Sequence, residues 1–281
     1  MRSALLRGQD HRLVGALACV AEGPAAITLS RGGARKTYDY VEENEDATFF
    51  AYADQATEGG LIVAVADGHH GSSGALAVLE HIETELAPGW IAPDSSLDNA
   101  LDSAQTWTDR ALDALVACND AVLARAGRLG IPSAPTTLSL ALVRPAENLV
   151  AYACVGDSHL FCVDAGGARD LGWASTGEHR SFFLGGAALV REELAERSIV
   201  GTRSLSGVDA LALATDGLSE RGIGVDDPER AAFEAIEAAR SANPELRALE
   251  ACKHLSRTAM RAQREHQAGD NVGCAVLWLG A

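Results

Sequence analysis

The chain has 281 residues, of which 47% are hydrophobic and 22% charged, so it can bury a core without disulfides or ligands. Its 23 Lys and Arg stand against 39 Asp and Glu, and the formal charge of −16 argues against nucleic acid or an anionic membrane as partner. No apolar run reaches the roughly 18 residues of a membrane span. The start of the chain lacks a signal-peptide pattern, and the six cysteines lack metal or disulfide spacing. We therefore predict a cytoplasmic protein with reduced thiols.

The first third of the chain alternates short apolar runs with polar turns. Strands are predicted over Ala26–Leu29, Phe49–Ala53 and Leu61–Ala66, and the last two form a hairpin. A helix is predicted from Ser72, and a longer one over Ser96–Leu129 that ends at a glycine. The two helices are expected to be neighbours.

The rest of the chain repeats that order of strands followed by helices. A meander is predicted over Leu138–Val143, Leu149–Val155 and Leu160–Val163, with a further strand over Ala210–Ala214. Two helices, 228–242 and 244 to about 267, precede a last strand over 272–279. Two groups of strands, each followed by a helix pair, favour an α+β fold. We expect a four-layer αββα sandwich with two central antiparallel sheets flanked by helix pairs.

Four aspartates share one local setting, beside a predicted strand end and a glycine. They are Asp67, Asp157, Asp216 and Asp270. Any one of them can be an ordinary turn aspartate. Together with Glu45 and Asp46, however, they can meet at one rim of packed sheets, where carboxylate oxygens coordinate Mg²⁺ or Mn²⁺.

The sequence resembles the metal-dependent serine/threonine protein phosphatases of type 2C. Six blocks carry the resemblance in the family's order. They are Asn44-Glu45-Asp46, Asp67-Gly68-His69-His70-Gly71-Ser72, Pro135-Thr136-Thr137, Val155-Gly156-Asp157-Ser158, Ala214-Thr215-Asp216-Gly217-Leu218 and Gly269-Asp270-Asn271. The resemblance implies one phosphatase catalytic domain over residues 1–281, with residues 1–25 as a candidate extra N-terminal segment. It also implies a phosphoprotein substrate, most naturally one made by an opposing Ser/Thr kinase.

The same resemblance implies a centre of two Mg²⁺ or Mn²⁺ ions. Asp67 bridges both, Asp216 and Asp270 complete one, and Glu45 with the Gly68 carbonyl completes the other. Asp46 lies behind these ligands, and Asp157 joins Asp216 at a candidate third, weaker ion. A bridging water activated by two cations then attacks phosphorus directly, without a phosphoenzyme.

Histidines, threonines and an asparagine of the six blocks are assigned catalytic or structural roles. The resemblance makes His69 the general acid for the seryl oxygen, for which its neutral-range pKa is suited. The alternative is that His69 or His70 only caps the next helix or lies exposed. Thr136 and Thr137 are interpreted as strand and core residues. We expect Asn271 to orient Asp270 through its amide.

The sequence departs from the family at three points that concern substrate recognition. Val41 stands where the family has a phosphate-binding Arg, and His159 stands where an Arg follows the Gly-Asp-Ser block. The segment between Ser158 and Asp216 is short, so we expect a reduced flap. Arg35 or Lys36, on a glycine-containing loop, is our candidate replacement for the missing Arg, against a solvated basic turn as the alternative.

Two other functions remain open at this point. One is a pseudophosphatase that docks phosphorylated partners without turnover, which Val41 favours and the complete aspartate set opposes. The other is a phosphatase for small phosphorylated metabolites.

Overall fold

The structure is a computed structural model that describes residues 1–36, 43–53, 59–92, 103–172 and 182–280. Its strands are β1 Arg2–Arg7, β2 Ala18–Glu22, β3 Ala25–Ser30, β4 Ala47–Tyr52, β5 Leu61–Ala66, β6 Leu138–Arg144, β7 Leu149–Val155, β8 His159–Asp164, β9 Gly167–Asp170, β10 Ile199–Ser204, β11 Val208–Ala214 and β12 Val272–Trp278. Its helices are α1 Ser73–His81, α2 Ala87–Ile91, α3 Ser103–Leu129, α4 Arg191–Arg197, α5 Pro228–Ala239 and α6 Arg247–His266. A π-helical turn, Ile82–Leu86, joins α1 to α2.

The strands form two six-stranded sheets that lie face to face. The first has the order β1-β4-β5-β6-β7-β10 and the second β2-β3-β12-β11-β8-β9, and all pairings within them are antiparallel. Helices α1 and α3 pack on the outer face of the first sheet, and α5 and α6 on that of the second. The predicted αββα sandwich is confirmed.

Burial on both faces explains why the central strands are continuous apolar runs. Successive side chains of a strand point to opposite faces of the sheet. In β4, Phe49 therefore enters the core beneath α1 and α3, whereas Phe50 enters the core between the sheets. Ile62 and Val63 divide in the same way in β5.

The predicted meander is wrong in its third strand. Strands β6 and β7 pair in the first sheet, but β8 pairs with β11 and β9 in the second. The chain crosses between sheets at Gly156, whose φ of +87° lies in the left-handed region that a glycine adopts without steric cost. This crossing brings Asp157 to the shared rim of both sheets.

The N-terminal residues are part of both sheets. Strand β1 pairs with β4 at the edge of the first sheet, and β2 pairs with β3 at the edge of the second. We did not predict β1, β2, β9, β10 or α4 from the sequence. The predicted start of the long helix, 96–102, lies outside the described residues, as do Val41 and the part of the proposed flap at 173–181.

The cysteines and the helices can be compared with the reduced thiols and the missing membrane span expected from the sequence. All six cysteines are free, and each except Cys19 is buried. None of the helices in the described part of the chain combines the length and apolar character that crossing a bilayer requires.

Candidate functional site

Four strand ends meet at one rim of the sandwich because their pairing is antiparallel. The start of β4 pairs with the end of β5, so Glu45 and Asp67 emerge side by side. The end of β11 pairs with the start of β12, which places Asp216 beside Asp270 in the same way. These four carboxylates, together with Lys36, Gly68, His69 and His70, line one pocket of about 210 Å³.

Two hydrogen bonds join the sheets at this rim. The Thr215 hydroxyl at the end of β11 donates to Asp46 Oδ2 across 2.8 Å. The Glu45 N–H donates to Asn271 Oδ1 across 2.9 Å. The Asn271 side chain therefore holds the Glu45 backbone, and only its backbone N–H donates to Asp270 Oδ1. Our expectation that the Asn271 amide orients Asp270 is wrong in that respect.

Thr136 and Thr137 fix the backbone of Asp67. The Thr136 hydroxyl donates to the Asp67 carbonyl at 2.8 Å, and the Asp67 N–H donates to Thr137 Oγ1 at 2.9 Å. Both threonines are fully buried, as expected for core residues, although they lie just before β6 and not within it. A Cβ at Gly68 would lie 2.7 Å from the Glu45 carbonyl oxygen, so only glycine allows the two loops to approach this closely.

Lys36 lies between two of the carboxylates. Its Nζ is 2.9 Å from Asp270 Oδ1 and 3.0 Å from Glu45 Oε2, and its side chain is 13% exposed. Burial lowers the pKa of Lys36, but the charges of Asp270 and Glu45 outweigh burial and raise it overall. The other Glu45 oxygen, Oε1, accepts from the Gly71 N–H at 2.6 Å.

The aspartates of the site repel one another. Burial raises the pKa of Asp67, and the charges of Asp46 and Asp270 raise it further. Burial and the charge of Asp67 likewise raise the pKa of Asp216, and a hydrogen bond joins these two carboxyls. Burial is also the largest cause that raises the pKa of Asp46. The raised pKa values reflect a site with more carboxyl groups than Lys36 alone can neutralise.

His69 lies at the mouth of the pocket. Its Nδ1 is 3.8 Å from Asp67 Oδ1, and its ring packs on Phe183 with 4.2 Å between centroids. Burial lowers the pKa of His69, and the nearby Asp157 and Glu45 oppose that shift. His70 has a φ of +64° and an exposed side chain.

The structure separates the remaining candidates from the pocket lining. Asp46 is buried behind the pocket, where its carboxylate meets Thr215. Asp157 lies close enough to act electrostatically on His69 and Asp216, but it does not line the pocket. Arg35 is exposed and also does not line the pocket, unlike Lys36.

Three neighbours of the site were missed by sequence reasoning. They are Thr215, Phe183 and Glu220, whose pKa is raised by burial and by the charges of Asp270 and Asp157. Thr215 precedes Asp216 in a matched block, but no local signal indicates its bond to Asp46, 169 residues away. In the present arrangement, no group of three or more His, Cys, Asp or Glu among the described residues forms a ready cation cage.

Solved structures share this fold. A serine-threonine phosphatase 2C from Toxoplasma gondii is 16% identical, with a TM-score of 0.63 over 94% of this chain and 99% of its own. The Staphylococcus aureus serine/threonine phosphatase Stp1 is 17% identical, with a TM-score of 0.61 over 93% and 96%. The catalytic domain of the serine threonine protein phosphatase PstP, in complex with two manganese ions, is 21% identical, with a TM-score of 0.61 over 95% and 100%.

The sequence itself identifies the family. The family described as protein phosphatase 2C matches residues 35–266, and the chain belongs to this family. No curated protein matches the chain significantly. Its activity class, that of a protein serine/threonine phosphatase acting on phosphoproteins, follows from the membership. The pseudophosphatase and the small-metabolite phosphatase are not favoured.

Proposed function

We propose that the chain hydrolyses phosphoserine and phosphothreonine side chains at the pocket lined by Glu45, Asp67, Asp216 and Asp270. The observation that carries the proposal is the convergence of these four carboxylates, three buried and Asp216 half-buried, in one pocket of about 210 Å³. Structural ion-pair networks also bury carboxylates, but they match each with a cation. Here the excess negative charge faces a concave, accessible space.

The donor set fits divalent cations. Mg²⁺ and Mn²⁺ prefer carboxylate and carbonyl oxygens, and the pocket offers four carboxylates and the backbone of Gly68. We assign Asp67 to two cations, Asp216 and Asp270 to one of them, and Glu45 with the Gly68 carbonyl to the other. Asp157 is assigned with Asp216 to a weaker third. When bound, such cations lower the pKa of water and offset the charge of the phosphate.

The protein side chains have separate tasks in this proposal. Asp46 and Asn271 hold the ligand loops through Thr215 and the Glu45 N–H. In its imidazolium form, His69 donates a proton to the seryl or threonyl oxygen as that oxygen leaves phosphorus, and neutral imidazole remains. The Phe183 ring limits the rotation of His69 and covers one face of it.

Lys36, rather than Arg35, is the cation that the pocket presents to a phosphate. A phosphoserine carries about −1.5 to −2 charges at neutral pH, so an acidic pocket needs a positive group near it. A cytoplasmic location and an opposing Ser/Thr kinase remain predictions from the sequence.

The test is release of phosphate from a phosphothreonine peptide by the purified chain. We expect turnover with Mn²⁺, none with excess chelator, and recovery when Mn²⁺ is restored. Turnover that persists in excess chelator would overturn the metal assignment. Faster hydrolysis of a sugar phosphate than of the peptide, compared by kcat/KM, would overturn the proposed substrate class.

A further inference from the structure

Lys36 holds two carboxylates to which the proposed function gives different cations. Its Nζ contacts Glu45 Oε2 at 3.0 Å and Asp270 Oδ1 at 2.9 Å. Glu45 and Asp270 stand at the starts of β4 and β12, in different sheets. One ammonium group therefore bridges the two halves of the pocket.

The backbone fixes this placement of Lys36. A parallel β-bridge pairs Lys36 with Gly269, and the Gly269 N–H donates to the Arg35 carbonyl at 2.9 Å. A Cβ at Gly269 would lie 2.0 Å from the Ala34 carbonyl oxygen, so a glycine is needed for the Lys36 loop to lie against the Asp270 loop. The side chain then enters the pocket, while the exposed Arg35 does not line it.

Charge explains why this position matters. Among the described residues that line the pocket, Lys36 alone carries a permanent positive charge, against four carboxylates. A cation that approaches Glu45 and Asp270 meets this ammonium group at the oxygens it would bind. At the dielectric typical of protein surfaces, two charges about 4 Å apart interact strongly enough to change affinity by more than tenfold.

We propose that Lys36 is an internal counter-ion of the metal-free site, one that divalent cations must displace from Glu45 and Asp270 and that thereby sets their affinity. The inference rests on the proposed metal-dependent function and deepens it. It gives Lys36 two successive positions. In the metal-free protein it neutralises the ligands, and after displacement its ammonium group is free to meet the substrate phosphate.

The test measures Mn²⁺ binding calorimetrically without substrate, in wild type, Lys36→Met and Lys36→Arg. Loss of the charge in Lys36→Met is expected to lower the Mn²⁺ dissociation constant about tenfold or more, whereas Lys36→Arg, which keeps the charge, stays much closer to wild type. The matched control is Arg35→Met, which removes a charge from the adjacent exposed position. It is expected to change the constant less than about twofold.

The metal-free stability provides a second readout. Because Lys36→Met leaves Glu45 and Asp270 without this partner, its melting temperature in chelator is expected to fall, and saturating Mn²⁺ should restore it to at least that of wild type. Lys36→Gln replaces the Met variant in both measurements if the latter does not fold.

The outcomes separate this inference from the proposed function. If wild type binds Mn²⁺ and dephosphorylates peptides but Lys36→Met binds Mn²⁺ no more tightly, the counter-ion role is wrong and the phosphatase stands. A raised KM for phosphopeptide without a change in Mn²⁺ affinity would make Lys36 a phosphate ligand only. If wild type binds no Mn²⁺, both proposals fail.

Discussion

At the scale of single residues, the aspartates of the site could be predicted and their partners could not. Asp67, Asp216 and Asp270 each stand beside a strand end, and the strands themselves are readable as apolar runs. The contact of Lys36 with Glu45 and Asp270 depends on the fold of the loop that carries it, which hydrophobic periodicity does not report. The same is true of the bond from Thr215 to Asp46.

The role of His69 as general acid can be tested by substitution. The change His69→Ala removes a proton donor, so turnover on a phosphoserine peptide is expected to fall by about 10²–10⁴-fold. Hydrolysis of p-nitrophenyl phosphate should fall much less, because an aryl leaving group needs little protonation. Steady-state kinetics with both substrates measures the difference.

A remote histidine provides the control for this experiment. His254 is exposed on α6, so His254→Ala is expected to leave both activities near wild type. Equal losses on the two substrates in His69→Ala would assign His69 a structural role, through its packing on Phe183, instead of proton transfer.

At the scale of elements, a buried cluster connects β8, β9 and the turn that carries Asp216. His159 Nδ1 lies 2.6 Å from Asp170 Oδ2, and its Nε2 lies 2.6 Å from the Ser219 hydroxyl. Because a carboxylate can only accept, Nδ1 carries a proton, and in the neutral imidazole Nε2 then accepts from the Ser219 hydroxyl. The Ser219 N–H in turn donates to the Asp216 carbonyl at 2.7 Å. His159, the residue in place of the family's usual Arg, therefore braces this turn.

Ser219→Ala tests this brace. The substitution removes the Ser219 hydroxyl from the buried Nε2 of His159, so we expect the free energy of unfolding in urea to fall by about 1–3 kcal/mol. Mn²⁺ affinity should also fall, since the turn positions Asp216. The control Ser241→Ala removes an exposed hydroxyl that makes no side-chain hydrogen bond to the described residues, and it should change stability by less than about 0.5 kcal/mol. A loss of stability with unaltered Mn²⁺ affinity would limit His159 to a structural role.

The elements that sequence reasoning missed are those with weak hydrophobic patterns. Strands β1, β2, β9 and β10 lie at the sheet edges, and their side chains are mostly half-buried or exposed. The central strands are buried on both faces, so they are easily recognised in the sequence as continuous apolar runs. The assignment of β8 to the wrong sheet has another cause, since periodicity reports burial but not which strand is the partner.

At the scale of the whole molecule, the fold brings negative charge together where two sheets meet. The chain has a net charge of −16, and four of its carboxylates lie buried or half-buried within one pocket. In the metal-free protein Asp67 and Asp216 oppose folding at neutral pH, because burial and mutual repulsion raise their pKa values. Divalent cations that bind only the folded chain should therefore stabilise it.

Asp67→Asn separates these two effects on stability. At neutral pH and in chelator, the neutral amide removes a charge whose raised pKa marks it as unfavourable, so the melting temperature should rise above that of wild type. In wild type, Mn²⁺ at 100 times its dissociation constant should add about 2.7 kcal/mol. Each kcal/mol corresponds to about 2–4 °C for a chain of this size. In Asp67→Asn that shift should largely vanish, together with phosphatase turnover.

Thermal melts with and without Mn²⁺, on wild type, Asp67→Asn and the exposed helix variant Asp120→Asn, measure both effects. Asp120→Asn controls for the loss of one negative charge from an acidic protein, and it should keep the full Mn²⁺ shift. If Asp67→Asn melts lower than wild type in chelator, the repulsion among the carboxylates is not what limits the metal-free protein. If it keeps the Mn²⁺ shift, Asp67 is not a shared ligand of the bound cations.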